Sequence, residues 1–313
     1  MKPRVLCTVG VFVGLAALAV ACQPQTVAPT ATPLPTATAT ETPVPTSTFT
    51  PTPVPTPTTM PHMTPYAPAS GDEQAWTLIW ADEFDVDGLP DPARWDYEVG
   101  YVRNNELQYY TRARMENARV EDGMLVIEAH KESYEGHDYT SASLITRGQA
   151  SWRYGRVEVR AKLPTGNGTW PAIWMLGMNI PEVGWPDCGE IDIMENVGFD
   201  PYRIHGNIHT EAYNHVKRTN KGSSITVAKP NEEFHVYAIE WFEDHIDFFV
   251  DDKRYFSFRN EGTGWKTWPF DQEFYLIINL AIGGSWGGMR GVDEEIFPQQ
   301  YTIDYVRVYR SIE

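Results

Sequence analysis

The sequence predicts an all-β domain of two packed antiparallel sheets. Three observations carry this: side chains alternate at period two through most apolar segments, no stretch shows the apolar stripe of a long amphipathic helix, and Gly, Pro, Asn and Asp punctuate the chain often. A closed barrel is the alternative architecture. In chain order, MLVIEAHKE sets Leu125, Ile127 and Ala129 on one face. GRVEVRAKLP sets Val157, Val159, Ala161 and Leu163 on one face and Glu158, Arg160 and Lys162 on the other. HIDFFVDDKRYFSF reads as two strands joined at Asp251-Asp252. FYLIINLAI, residues 274 to 282, is nearly all apolar, as expected of a strand covered on both sides.

The chain of 313 residues does not all belong to this domain. Residues 1–22 open with Lys2 and Arg4, run apolar from Val5 to Ala21 and end in small residues, the layout of a bacterial export signal. An uncleaved membrane anchor is the alternative. The exit Leu18-Ala-Val-Ala-Cys22 resembles a lipobox, which implies lipidation of Cys22; ordinary cleavage near Ala21 is the other reading. Residues 23–70 are rich in Thr and Pro, with too little apolar surface to fold, and read as a disordered spacer. Residues 71–313 are left as the globular domain.

The formal net charge is −17, and only Lys2, Arg4 and Glu41 are charged before residue 71, so the globular domain is strongly acidic. Such a surface repels nucleic acid. Cys188 is the single cysteine of this domain, which excludes an internal disulfide there. Export is expected, with membrane contact only through the N-terminal lipid, and the protein is expected to be a monomer.

GTWPAIWMLG puts Trp170, Ala172 and Trp174 on one strand face and Ile173 and Met175 on the other. If the isoleucine side is the core, two indoles face outward, where flat rings stack on pyranoses. Trp185 and Trp286 sit in Gly-rich loops that can aim a side chain at a ligand.

CGEIDIMENVG holds Glu190, Asp192 and Glu195 among apolar residues. Strand alternation puts Glu190 and Asp192 on one face and sends Glu195 to the isoleucine side, where an unpaired carboxylate is costly. A bulge absorbing Met194 resets the parity and returns Glu195 to the face of Glu190 and Asp192. Glycosidic hydrolysis needs one carboxyl to protonate the leaving oxygen and another to attack or to activate water, and this trio supplies both. Asp192, between the glutamates, would raise a neighbour's pKa through like-charge repulsion. A solvated edge strand leaves Ile191, Ile193 and Val197 unexplained, and a calcium site needs oxygen ligands that this stretch does not offer.

GEIDIMENVG resembles the catalytic signature of glycoside hydrolase family 16, in the subgroup with one extra residue before the last Glu. The similarity continues through WADEFDVDGLPDPARWDYEVG, NNELQYYT, SWRYGRVEVRAKLP, GTWPAIWMLG, GNIHT, INLAIGGSWGG and YTIDYVRVYR. It implies a concanavalin-like β-jelly roll with a substrate cleft on its concave sheet, and retaining cleavage of β-glucans or related galactans without a cofactor. It further implies Glu190 as nucleophile, Glu195 as acid/base, Asp192 as the assisting carboxylate and His209 near the acid/base. Asn104, Asn105, Trp170, Trp174 and Trp286 match residues that hold glucose units. A structural calcium, where family members carry one, implies Glu83, the Gly123 carbonyl and Asp304.

The extra residue is shared by laminarinases, agarases and carrageenases of this family, whereas NNELQYYT and GTWPAIWMLG resemble the laminarinase branch, which implies an endo-β-1,3-glucanase acting on β-glucan polysaccharide. Tyr101-Val-Arg103 departs from that branch, where Gly-Trp-Gly usually precedes the asparagines. A β-1,3-1,4-glucanase, a galactanase, a transglycosylase and a non-catalytic carbohydrate-binding jelly roll are the alternatives.

Overall fold

The structure, a computed structural model, describes residues 75–312. The predicted export signal 1–22, Cys22 with its lipidation and the linker 23–70 lie outside the described residues. Strands follow as β1 (Trp76–Asp82), β2 (Asp96–Tyr97), β3 (Gln108–Tyr110), β4 (Ala118–Glu121), β5 (Met124–Tyr134), β6 (His137–Ser141), β7 (Ser143–Ile145), β8 (Gly155–Lys162) and β9 (Thr169–Gly177). A short helix, α1 (Ile180–Val183), precedes β10 (Glu190–Glu195), β11 (Arg203–His209), β12 (Lys221–Thr226), β13 (His235–Trp241) and β14 (His245–Val250). β15 (Lys253–Arg259), β16 (Phe274–Ile282) and β17 (Gln299–Ser311) complete the chain. Among the described residues no helix is long and apolar enough to cross a membrane.

The strands form a jelly-roll-like sandwich. One sheet runs β15-β14-β13-β8-β17-β5-β6-β3, with β1 paired to β17 and β4 to β5, and the other runs β12-β11-β10-β9-β16-β7-β2. The expectation of wholly antiparallel sheets needs one correction, because β3 and β6 pair parallel. These two strands are joined by the long excursion through β4 and β5, not by a hairpin, so no tight turn forces them antiparallel.

The core between the sheets follows the alternation. Leu125, Ile127 and Ala129 from β5 and Val157, Val159 and Ala161 from β8 pack with Ile173 and Met175 from β9 and Leu276, Ile278 and Leu280 from β16. Each fully buried aliphatic side chain contributes roughly 1.5–3 kcal/mol relative to exposure. The predicted hairpin is present, with β14 and β15 paired antiparallel and Asp251 taking the left-handed turn conformation at φ 53°.

The polar face of β8 is not the solvated surface that alternation suggests. Arg156 and Glu158 are buried and ion-paired at 2.9 Å, Arg156 also reaches Glu240 at 2.9 Å, and Tyr309 Oη donates to Glu158 at 3.0 Å. Buried charge is tolerated here because each carboxylate has a guanidinium partner.

The outer face of the seven-stranded sheet carries a second, smaller apolar cluster. Ala172, Trp174 and Leu176 from β9, Tyr275 and Ile277 from β16, and Cys188 are buried together, with Trp185 packed against them. This cluster supports the cleft described next. Cys188 is a buried free thiol whose pKa burial pushes up to about 12, so it packs and does not react.

Candidate active site

The bulge that the parity of Glu195 demands is present in β10. Against β9, Asp192 pairs with Trp174 and the register then slips, so that Met194 pairs with Ile173 and Glu195 with Ala172. Against β11, Asp192 pairs with Asn207 and Glu195 with His205, so Ile193 and Met194 together face Gly206. The expectation that Met194 alone is absorbed is therefore refined. Both residues share the irregularity and both side chains enter the core, because both are apolar. Gly206 is required opposite them, since a Cβ there would lie 2.5 Å from the Tyr255 hydroxyl.

Glu190, Asp192 and Glu195 consequently line one cleft of about 500 Å³, together with Asn104, Trp170, Trp174, Trp185 and His215. Each glutamate is held by an indole. Trp185 Nε1 donates to Glu190 Oε2 at 2.8 Å, and Trp170 Nε1 donates to Glu195 Oε1 at 3.1 Å. Asn207, on β11, adds a donation to Glu195 Oε2 at 3.3 Å. Oriented N–H donors fix where each carboxylate points, which matters more here than the modest energy of each bond.

Burial governs the protonation of the site. Asp192 is almost wholly buried, and its pKa is held well above the usual carboxylate range by desolvation first, then by the nearby charges of Glu190 and Glu195. Glu195 is raised as well, again mainly by burial, with the positive field of His209 and the bonds from Trp170 and Asn207 acting the other way. The expectation that Asp192 raises a neighbour's pKa is thus reversed: the two glutamates push Asp192 upward, because it is the central and most enclosed acid.

His209 is placed differently from the expectation. It is the cross-strand partner of Glu190, its Nε2 lies 3.2 Å from Asp192 Oδ2 and 3.7 Å from Glu190 Oε1, and it is 6% exposed. It therefore sits at the Glu190 end of the trio. The histidine paired across from Glu195 is His205, whose ring packs edge-on against Trp286 at 4.9 Å. The two histidines fall at same-face positions of RIHGNIH, so parity alone could have singled out His205.

The remaining predicted contacts divide. Asn104 lines the cleft, whereas Asn105 lines a neighbouring cavity of about 670 Å³ with Leu107, Tyr139 and Gly284. Consecutive left-handed residues, φ 59° and 54°, turn the chain there so that the two asparagines face different spaces. Trp286 packs edge-on against Trp170 at 5.6 Å and backs the platform. Trp174 is only 7% exposed, its indole donates to Asn279 at 2.7 Å, and the Arg103 guanidinium lies over its ring at 4.6 Å. The open platform expected at Trp174 is thus corrected to a supporting ring, because a cation already occupies one face. Trp185, Asn207, His215 and Asn279 joined the site from distant loops and strands, and only Trp185 carried a signal in the sequence, its Gly-rich setting.

The residues implied for a calcium ion do not assemble one. Glu83 accepts two hydrogen bonds from Arg307 at 2.8 Å each, and Asp304 is ion-paired with Arg160. Gly123 forms the left-handed turn between β4 and β5 at φ 72°. With both carboxylates spent on guanidinium groups, these three residues do not fit a hard cation that needs six to eight oxygens.

A β-sandwich bearing two oriented carboxylates and a buried third across one cleft defines a glycoside hydrolase of the two-carboxylate kind. The chain belongs to glycosyl hydrolases family 16, whose model matches residues 105–307. A model of the beta-glucan synthesis-associated protein SKN1/KRE6/Sbg1 also matches, over residues 4–191. A beta-glucanase of Rhodothermus marinus is 59% identical over 247 residues, covering 76% of this chain and 86% of that protein. The solved laminarinase of Rhodothermus marinus superposes with a TM-score of 0.75 over 77% of this chain and 99% of that one. Glucan endo-1,3-beta-glucosidase A1 of Niallia circulans is 37% identical over 278 residues, 79% of this chain and 39% of that protein.

Proposed function

We propose that this protein is an endo-acting β-1,3-glucanase that cleaves laminarin-like glucan with retention of anomeric configuration. The observation that carries this is the bulge, which brings Glu195 to the cleft beside Glu190 and lets a different indole orient each. The similarity to a laminarinase and to an endo-1,3-beta-glucosidase supports the choice of linkage.

Glu195, whose pKa burial raises, gives its proton to the glycosidic oxygen as that bond breaks. Glu190 attacks the anomeric carbon from the opposite side and forms a glycosyl ester. Asp192, buried and protonated, is the neighbour that keeps negative charge on Glu190 from being doubled. In the second half, ionised Glu195 takes a proton from water, which attacks the anomeric carbon and releases the Glu190 carboxylate. This chemistry needs no cofactor.

Incubating residues 71–313 with laminarin, mixed-linkage barley glucan, agarose and carrageenan tests the reading. Reducing ends should appear fastest with laminarin, as a ladder of oligosaccharides. Turnover confined to agarose or carrageenan would refute the glucan assignment.

The export-like segment and the lipobox-like exit support a reading in which the enzyme is a monomer exported to the cell surface on lipidated Cys22. Mass spectrometry of the mature N-terminus tests it; an unmodified N-terminus would contradict lipidation.

A further inference from the structure

The loop ahead of the two asparagines is where this chain departs from its branch, and it delivers Arg103 into the cleft wall. The guanidinium is fixed from two directions. Its carbon lies 4.6 Å from the Trp174 ring centroid, and Nη2 pairs with Glu98, whose other oxygen accepts from Ser143 Oγ at 2.7 Å. One donor is left unpaired. Nη1 is buried and has no hydrogen-bond partner among the described residues.

Leaving a charged donor buried and unpaired is unfavourable, and proteins rarely do so away from sites where a ligand completes the bond. Glu98 already balances the charge, so the open N–H suits a neutral oxygen better than an anion. The cation on Trp174 has the same consequence, since a sugar reaching this wall meets an N–H where an aromatic face was expected. The rigid, planar fork holds this donor in one direction, which a lysine could not do.

We propose that Arg103 is a specificity-determining residue: Nη1 donates to a hydroxyl of a neutral glucosyl unit bound on the Trp174 side of the catalytic acids. Trp174, Glu98 and Ser143 act as its positioning residues. The inference rests on the glucanase reading above.

The test is a coupling measurement between side chain and substrate hydroxyl. Wild type, Arg103→Met and Arg103→Lys are assayed on a laminari-oligosaccharide and on its monodeoxy analogues. In wild type, one deoxy position on the Trp174 side should lose about tenfold or more in kcat/KM, because a site built to bond a hydroxyl rejects its absence. Arg103→Met should lose about as much on the parent substrate, chiefly through KM, and nothing further on that analogue. Arg103→Lys, which lacks the fork, should resemble Met. Equal losses by Arg103→Met on all substrates, parent and analogue alike, would mean a structural role and overturn the proposal. Wild type indifferent to every deoxy position would overturn it without any variant. Wild type inactive on the parent would overturn the glucanase reading and this inference together.

Discussion

Trp170 donates its indole N–H to Glu195 across 3.1 Å, so one ring of the cleft wall also fixes this carboxylate. In the proposed mechanism this bond would couple sugar binding to proton delivery through one side chain. The loop bearing Gly284 passes close to this ring, where a Cβ would lie 3.2 Å from Trp170, so the indole has little room to turn away.

Replacing Trp170 by Phe should move the basic limb of the kcat/KM profile to higher pH. The lost bond favours ionised Glu195, so removing it raises the pKa further and keeps the acid protonated over a wider range. The maximum should fall roughly tenfold or more, from loss of a bond to a charged group. A limb that moves to lower pH would contradict this role.

Trp185→Phe isolates the other indole. Removing its 2.8 Å bond to Glu190 should reduce kcat by roughly 10- to 100-fold, the effect of losing a hydrogen bond to a charged group, with KM little changed. A pure KM effect in steady-state kinetics would assign Trp185 to substrate binding instead.

Asp192→Asn should raise thermal stability while lowering activity. With the folded pKa above the unfolded value, the native state binds the extra proton between the two values. Stability therefore falls as pH rises from about 3.9, the ordinary Asp value, toward the raised one. Asparagine removes that penalty, so its advantage in Tm should be absent near pH 3 and present at pH 7, by a few degrees. A lower Tm than wild type at pH 7 would show that the carboxyl itself holds the strand together.

Arg156→Met tests the buried pairs on the far sheet. It leaves Glu158 and Glu240 without their guanidinium, and breaking such a pair costs about 3–5 kcal/mol. Denaturant unfolding should register that loss, while KM for laminarin stays unchanged because the site is on the other sheet.

Alternation made the core strands legible, since Val157, Val159, Ala161 and the apolar run of β16 can satisfy only a buried face. The same rule set Glu158 on the opposite face but left its burial beside Arg156 unannounced, because period two reports which face a residue shares and not what covers that face. Within the site, the broken parity of Glu195 announced the bulge, an irregularity that only a requirement for the carboxylate explains. Contacts across β11 and the loops were not legible: Asn207, His215 and Asn279 reach the cleft through pairings far apart in sequence. Arg103 stood out as a departure, but its seat on Trp174 depends on how the loop turns at Asn104 and Asn105.

A double displacement on β-1,3-glucan, with Glu190 as nucleophile and Glu195 as acid/base, fixes which anomer is released first. Proton NMR of laminarin hydrolysis in its first minutes tests it most directly. The β-anomer of the new reducing end should appear first and then mutarotate, with the signal lost in Glu190→Gln and Glu195→Gln. First appearance of the α-anomer would contradict it.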